Sequence, residues 1–228
     1  MEENFNNNSV FKRFQINDDI SVMDLLSECC SQSGYKFFTF DEFKDSYTFK
    51  HSNRVSDFAV LIGKKIGLSD DELYSLKLGA LFHDVGKFGI PTNILNKTST
   101  LSDDEFAKVK THTFIGTEIL SKSSMFDNIL PIVEHHHEKY DGNGYPSNLK
   151  GEEIPLLARI TAIADSFDAM TSNRTYNIPM SINEAKSEMQ RCSGKQFDPA
   201  LVNAFLDILD NNYNEVLDIQ NKWKIRKH

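Results

Sequence analysis

His83 and Asp84 stand side by side at the end of an apolar segment, Ala80-Leu81-Phe82, and Val85-Gly86-Lys87 follows them. An imidazole nitrogen binds one metal ion, whereas the two oxygens of a carboxylate can bridge a pair. The dipeptide therefore has the chemistry of a shared ligand only if further ligands are delivered beside it. Candidates are His51, His112, His136, His137 and Asp165, each at a helix end or on a stripe that is otherwise apolar. Burying several such groups without partners costs several kcal/mol, more for carboxylates. Divalent cations would satisfy them together. Imidazoles and carboxylates without thiolates suit Mn, Fe or Zn better than Ca.

Around this set stand residues with two readings each. Lys87, one turn past Asp84, is a solvated loop lysine or a cation for phosphate, and Arg174 has the same alternatives. Asp168 lies three residues from Asp165, which sets both carboxylates on one side of a helix. Tyr145, within Gly144-Tyr145-Pro146, ends a turn-rich loop or holds a ring over a base. His135 falls on a different face from its two neighbours and reads as structural or exposed.

The elements that must carry these groups read as helices. A short amphipathic helix is expected around 21–30, where Val22, Leu25, Leu26 and Cys29 recur at helical spacing. After His51, the stripe Val55, Phe58, Ala59, Ile62 and Ile66 runs to Gly67. Ser69 with Asp70-Asp71-Glu72 predicts an N-cap and an acidic first turn for the helix that ends at His83. A second capping box at Ser102 predicts a helix on which Val109, His112, Gly116 and Ile119 share a face. Further helices are expected over 128–139, 155–171, 181–192 and 199–219. No strand pattern or repeat is evident, and the predicted class is all-α.

With 228 residues, the chain fits one domain plus a small appendage, taken as residues 1–40 before a main domain at 41–228. No apolar run approaches the roughly eighteen residues of a membrane span. The start, from Met1 to Phe14, is polar and Asn-rich, unlike a secretory signal. Cys29, Cys30 and Cys192 have neither disulfide nor metal spacing, which favours a reducing, cytoplasmic setting. A net charge of −8 argues against general binding to polymeric nucleic acid. Metal ions can still reverse the field locally for a small phosphorylated ligand.

Ordered along the chain are Tyr47-Thr48-x-x-His51-Ser52-x-Arg54-Val55, His83-Asp84-Val85-Gly86-Lys87, Gly89-Ile90-Pro91, His112 and His136-His137-Glu138-x-x-Asp141-Gly142-x-Gly144-Tyr145-Pro146. Ile154-Pro155, Arg159-Ile160, Ala164-Asp165-x-x-Asp168-Ala169-Met170-Thr171-Ser172-x-Arg174 and Gln196-Phe197-Asp198-Pro199 follow. Together they resemble the HD-GYP family, a branch of the HD-domain metal-dependent phosphohydrolases, over roughly 45–205. The resemblance implies a helical bundle that hydrolyses cyclic dinucleotides, chiefly cyclic di-GMP, to linear pGpG and on to GMP. It implies that His51, His83, Asp84 and Asp165 hold one metal, and that Asp84 bridges to a second held by His112, His136 and His137. The nucleophile would be a metal-bridging hydroxide, with Lys87 and Arg174 on the phosphate and Asp168 orienting the water or a ligand histidine. Gly144, Tyr145 and Pro146 would border the substrate and meet signalling partners; an oligomer is compatible with this scheme.

Two positions depart from the family pattern. Family members with a third metal carry a glutamate where this chain has Tyr47, so two ions per chain, Fe or Mn, are expected. Asn177 stands where the family often has a cation, which weakens the phosphate side. Two competing functions stay open: a catalytically weak cyclic-dinucleotide receptor or scaffold, and an HD phosphohydrolase acting on another nucleotide.

Overall fold

The computed structural model describes residues 19–34, 47–172 and 178–223. Arg174 and Asn177 lie outside these, as does the side chain of Tyr47. Among the described residues there is no strand, only an isolated bridge between Ser193 and Phe197, and the architecture is all-α. No helix among them is long and apolar enough to cross a membrane.

Helix α1 spans Asp19–Gln32, α2 Tyr47–Lys65 and α3 Asp70–Phe82. Ser69 caps α3 through a complete capping box with Glu72, which satisfies two backbone donors at its start. Past Phe82 the chain tightens at Asp84 (φ −99°, ψ 7°) into a 3-10 turn, Val85–Gly89. Short α4 (Thr92–Leu95) leads to α5 (Asp103–Lys110), α6 (His112–Leu120), a 3-10 turn at Ser124–Ile129 and α7 (Leu130–His135). Then come α8 (Leu156–Thr171), α9 (Ile182–Cys192), α10 (Pro199–Asn211) and α11 (Tyr213–Lys222).

Two apolar clusters pack against opposite sides of α3. One joins Val55, Phe58 and Ile62 of α2 to Phe167 of α8 and to Phe205 of α10. The other joins Leu26 and Cys30 of α1 to Phe82, Ile119, Ile132 and Val133. The polar ligand candidates sit where these clusters meet, at the end of α3.

Three expected helices are broken or shortened. The helix expected to run through Val109 to Ile119 divides at Thr111, whose hydroxyl donates to Lys108 O at 2.7 Å and competes with continued helical bonding. The break swings α6 toward the turn after Asp84. Residues 199–219 divide at Asn212 (φ −119°, ψ 33°), which turns Val216 and Ile219 back into the core. The helix expected over 128–139 is only Leu130–His135, preceded by the 3-10 turn. Gly144 returns against its end so closely that a Cβ there would lie 2.4 Å from Glu138 Cα.

Candidate metal centre

Helix α2 brings in His51, and α8 brings Asp165 and Asp168 to either side of its ring. His51 Nε2 lies 3.2 Å from Asp165 Oδ1, and His51 Nδ1 lies 2.7 Å from Asp168 Oδ2. Burial works to lower the pKa of this imidazole, but the bonds to both carboxylates outweigh it and raise it to about 9. Asp168 is fully buried. Its oxygens take Arg54 Nε at 2.5 Å, Arg54 Nη2 at 3.0 Å and the Ser172 hydroxyl at 2.9 Å, besides His51.

His83, at the end of α3, donates from Nδ1 to Ala80 O at 2.7 Å, which leaves Nε2 as the free lone pair. His112 does the same to Val109 O at 2.7 Å, and His136 to Val133 O at 2.9 Å. A backbone carbonyl one turn earlier thus fixes the tautomer of each ring, as metal-ligating histidines require. Burial is the main cause that holds His112 and His136 below the ordinary histidine value, and it brings His137 down to about 4. These three are neutral near pH 7 and present lone pairs rather than protons.

Asp84 lies between the two sets. Its Oδ2 is 3.3 Å from His83 Nε2, while its Oδ1 is 3.5 Å from His112 Nε2 and 4.0 Å from His136 Nε2. Burial alone would raise its pKa, but Lys87, His83 and His112 hold it well below the usual carboxylate range. Asp84, His112, His136 and His137 can bring one ligand atom each within 4.8 Å of one another, and so can His51, His83 and Asp165.

The residues fit divalent cations on grounds of their own. His83 Nε2 and Asp84 Oδ1 are buried and have no hydrogen-bond partner, a costly arrangement that a cation would relieve. Nitrogen and oxygen donors without thiolate match borderline metals such as Fe or Mn. The convergence depends on Gly86: a Cβ there would lie 1.8 Å from His112 O, so only glycine lets α6 approach Asp84.

The other expected site residues fall around this cluster. Lys87 Nζ is 2.5 Å from Asp84 Oδ2 and partly exposed. Tyr145 N–H donates to His137 O at 3.3 Å, and its ring lies 4.9 Å from the His137 ring at 30°. Gly144 and Tyr145 line a cavity of about 280 Å³ with His136, His137 and Asp165, whereas Pro146 is exposed outside it. His135 is half-buried away from the cluster, 3.8 Å from Glu138 Oε1.

Arg54 and Glu138, neither of them a candidate ligand, also shape the site. Arg54 anchors Asp168, and its signal was a charge three residues after His51 on an apolar stripe. Glu138 accepts the Ser147 N–H at 2.6 Å, tying the Gly-Tyr-Pro loop to the end of α7.

Residues 42–201 match the family described as HD domain. The chain belongs to the HD-domain family, and its HD-GYP resemblance is borne out. It is 40% identical over 185 residues to a cyclic di-GMP phosphodiesterase of Thermotoga maritima, covering 80% of this chain and 49% of that protein. It is 35% identical over 195 residues to a 3'3'-cGAMP-specific phosphodiesterase of Vibrio cholerae, covering 85% of this chain and 37% of that one. The chain thus spans about half or less of the length of these curated relatives. Among solved structures, an HDG"Y"P protein from Bdellovibrio bacteriovorus shares the fold, with a TM-score of 0.60 at 23% identity over 84% of this chain and 60% of the other.

Proposed function

We propose that this chain is a metal-dependent phosphodiesterase that opens cyclic dinucleotides, cyclic di-GMP first, to the linear dinucleotide pGpG and on to GMP. The observation that carries the proposal is the division of Asp84, one oxygen toward His83 and the other toward His112 and His136. In this reading His51, His83 and Asp165 would hold one ion and His112, His136 and His137 a second, with Asp84 placed to serve both. Bound divalent ions supply Lewis acidity at a phosphoryl oxygen and acidify water enough for attack near neutral pH.

The chain's own groups do the rest. Asp168 is a positioning residue: it holds His51 by Nδ1 and is itself held by Arg54. With its carboxylate bonded, among the described residues, to His51, Arg54 and Ser172, it favours the histidine-orienting role over contact with water. Lys87, at the edge of the cluster, takes up charge as it develops on the phosphate, leaving Asp84 for the substrate. Arg174 would supply a second cation to the phosphate, as the family resemblance implies. Gly144 and Tyr145 border the substrate, and Pro146 lies on the outer side of the same loop.

A second substrate is supported by the relatives themselves, since some are named for cyclic di-GMP and others for 3'3'-cGAMP. The test is anaerobic purification with Fe or Mn, followed by product analysis on cyclic di-GMP, cyclic GMP-AMP and cyclic di-AMP. Linear pGpG and GMP from cyclic di-GMP are expected. Tight binding without turnover at full metal occupancy would favour a receptor instead.

A further inference from the structure

Helix α5 is built differently from its neighbours: none of its residues is fully buried, and Phe106 remains 48% exposed. It is fixed at its N-terminal end rather than by a core, through the Ser102–Glu105 capping box and the Lys97–Glu105 ion pair at 2.5 Å. Phe106 and Lys110, four residues apart, share the face turned toward the Gly-Tyr-Pro loop. The Phe106 ring stands 6.4 Å from the Tyr145 ring at 85°, and Lys110 Nζ lies 5.3 Å from the Phe106 centroid and 5.9 Å from that of Tyr145. Tyr145 in turn lies beside His137, so rings and cation form one wall from the ligand cluster to the cavity mouth.

We propose that Phe106 and Lys110 are substrate-positioning residues, with Phe106 stacking on a nucleobase and Lys110 meeting the phosphate that is not being cleaved. This rests on the reading that the site takes a cyclic dinucleotide. Such a ligand carries two bases and two phosphodiesters. While one phosphate is at the ligand cluster, the other needs a cation elsewhere, and an exposed aromatic face suits a base. Among the described residues no carboxylate pairs with Lys110; its contacts are to the two rings. A cation–π contact at an exposed site is weaker than a charge-assisted bond to phosphate, so a ligand would draw Lys110 off the rings.

Phe106→Ala, Phe106→Trp and Lys110→Ala are compared with the wild-type metal-loaded chain on cyclic di-GMP and on methyl 4-nitrophenyl phosphate, a diester with neither base nor second phosphate. Phe106→Ala and Lys110→Ala should each raise KM for the cyclic dinucleotide about tenfold, with kcat changed less than threefold. Phe106→Trp should restore KM, and hydrolysis of the small diester should not change. A KM within twofold of wild type in both alanine variants would overturn the inference and leave the proposed activity standing. A wild-type chain that cleaves the small diester but no cyclic dinucleotide would overturn both.

Discussion

Asp168 Oδ2 sits 2.7 Å from His51 Nδ1 and 3.0 Å from Arg54 Nη2, so a fully buried carboxylate joins a candidate ligand histidine to a guanidinium on the same helix. The contact couples the stability of the bundle to the shape of the centre. Removing one partner of a buried pair leaves the other charge uncompensated.

Asp168→Asn should therefore lower stability by about 3 kcal/mol, read from denaturant unfolding of the metal-free chain. Metal affinity should fall about tenfold or more, because the amide no longer anchors the ring of His51. An unchanged unfolding midpoint would contradict the coupling.

Gly86→Ala tests the approach of α6 to Asp84. A Cβ at this position would meet His112 O at 1.8 Å, a backbone atom that cannot swing aside. Loss of about 3 kcal/mol is expected, together with loss of metal binding, since His112 opens the displaced helix α6. Equilibrium unfolding and metal titration of the same preparation measure both.

The titration of the histidines gives the metal-free chain a stability optimum. His51, raised from 6.5 to about 9, contributes stability that is fully present below about pH 6.5 and is lost as pH rises through about 9. His137, lowered to about 4, contributes stability present above about pH 6.5 and lost as pH falls toward about 4. Thermal unfolding across this range should peak near pH 6.5. Metal loading at pH 7.5 should displace about one proton from His51, detected by calorimetry in buffers of different ionisation enthalpy.

How far the sequence could be read depends on what each signal is. His51, His83, His112, His136 and Asp165 were legible because they interrupt apolar stripes, and the structure brings all of them to the end of α3. The capped start of α3 was legible for the same local reason, as Ser69 and Glu72 carry their own instruction. The breaks at Thr111 and Asn212 were not, since both residues are tolerated inside helices and the break is decided by packing. Phe106 and Lys110 gave no sign, because their meaning depends on Tyr145, which reaches them only through the fold. The Arg54–Asp168 pair, 114 residues apart, had no local signal either.

The central claim, that one carboxylate is shared by two ions, is tested most directly by counting metal in wild-type and Asp84→Asn protein purified anaerobically with Fe or Mn. Two ions per wild-type chain are expected. Asp84→Asn should hold one ion or fewer, with hydrolysis of cyclic di-GMP abolished and the helical fold retained by circular dichroism. Two ions per chain with undiminished hydrolysis in the variant would contradict it, and so would three ions per chain in the wild type.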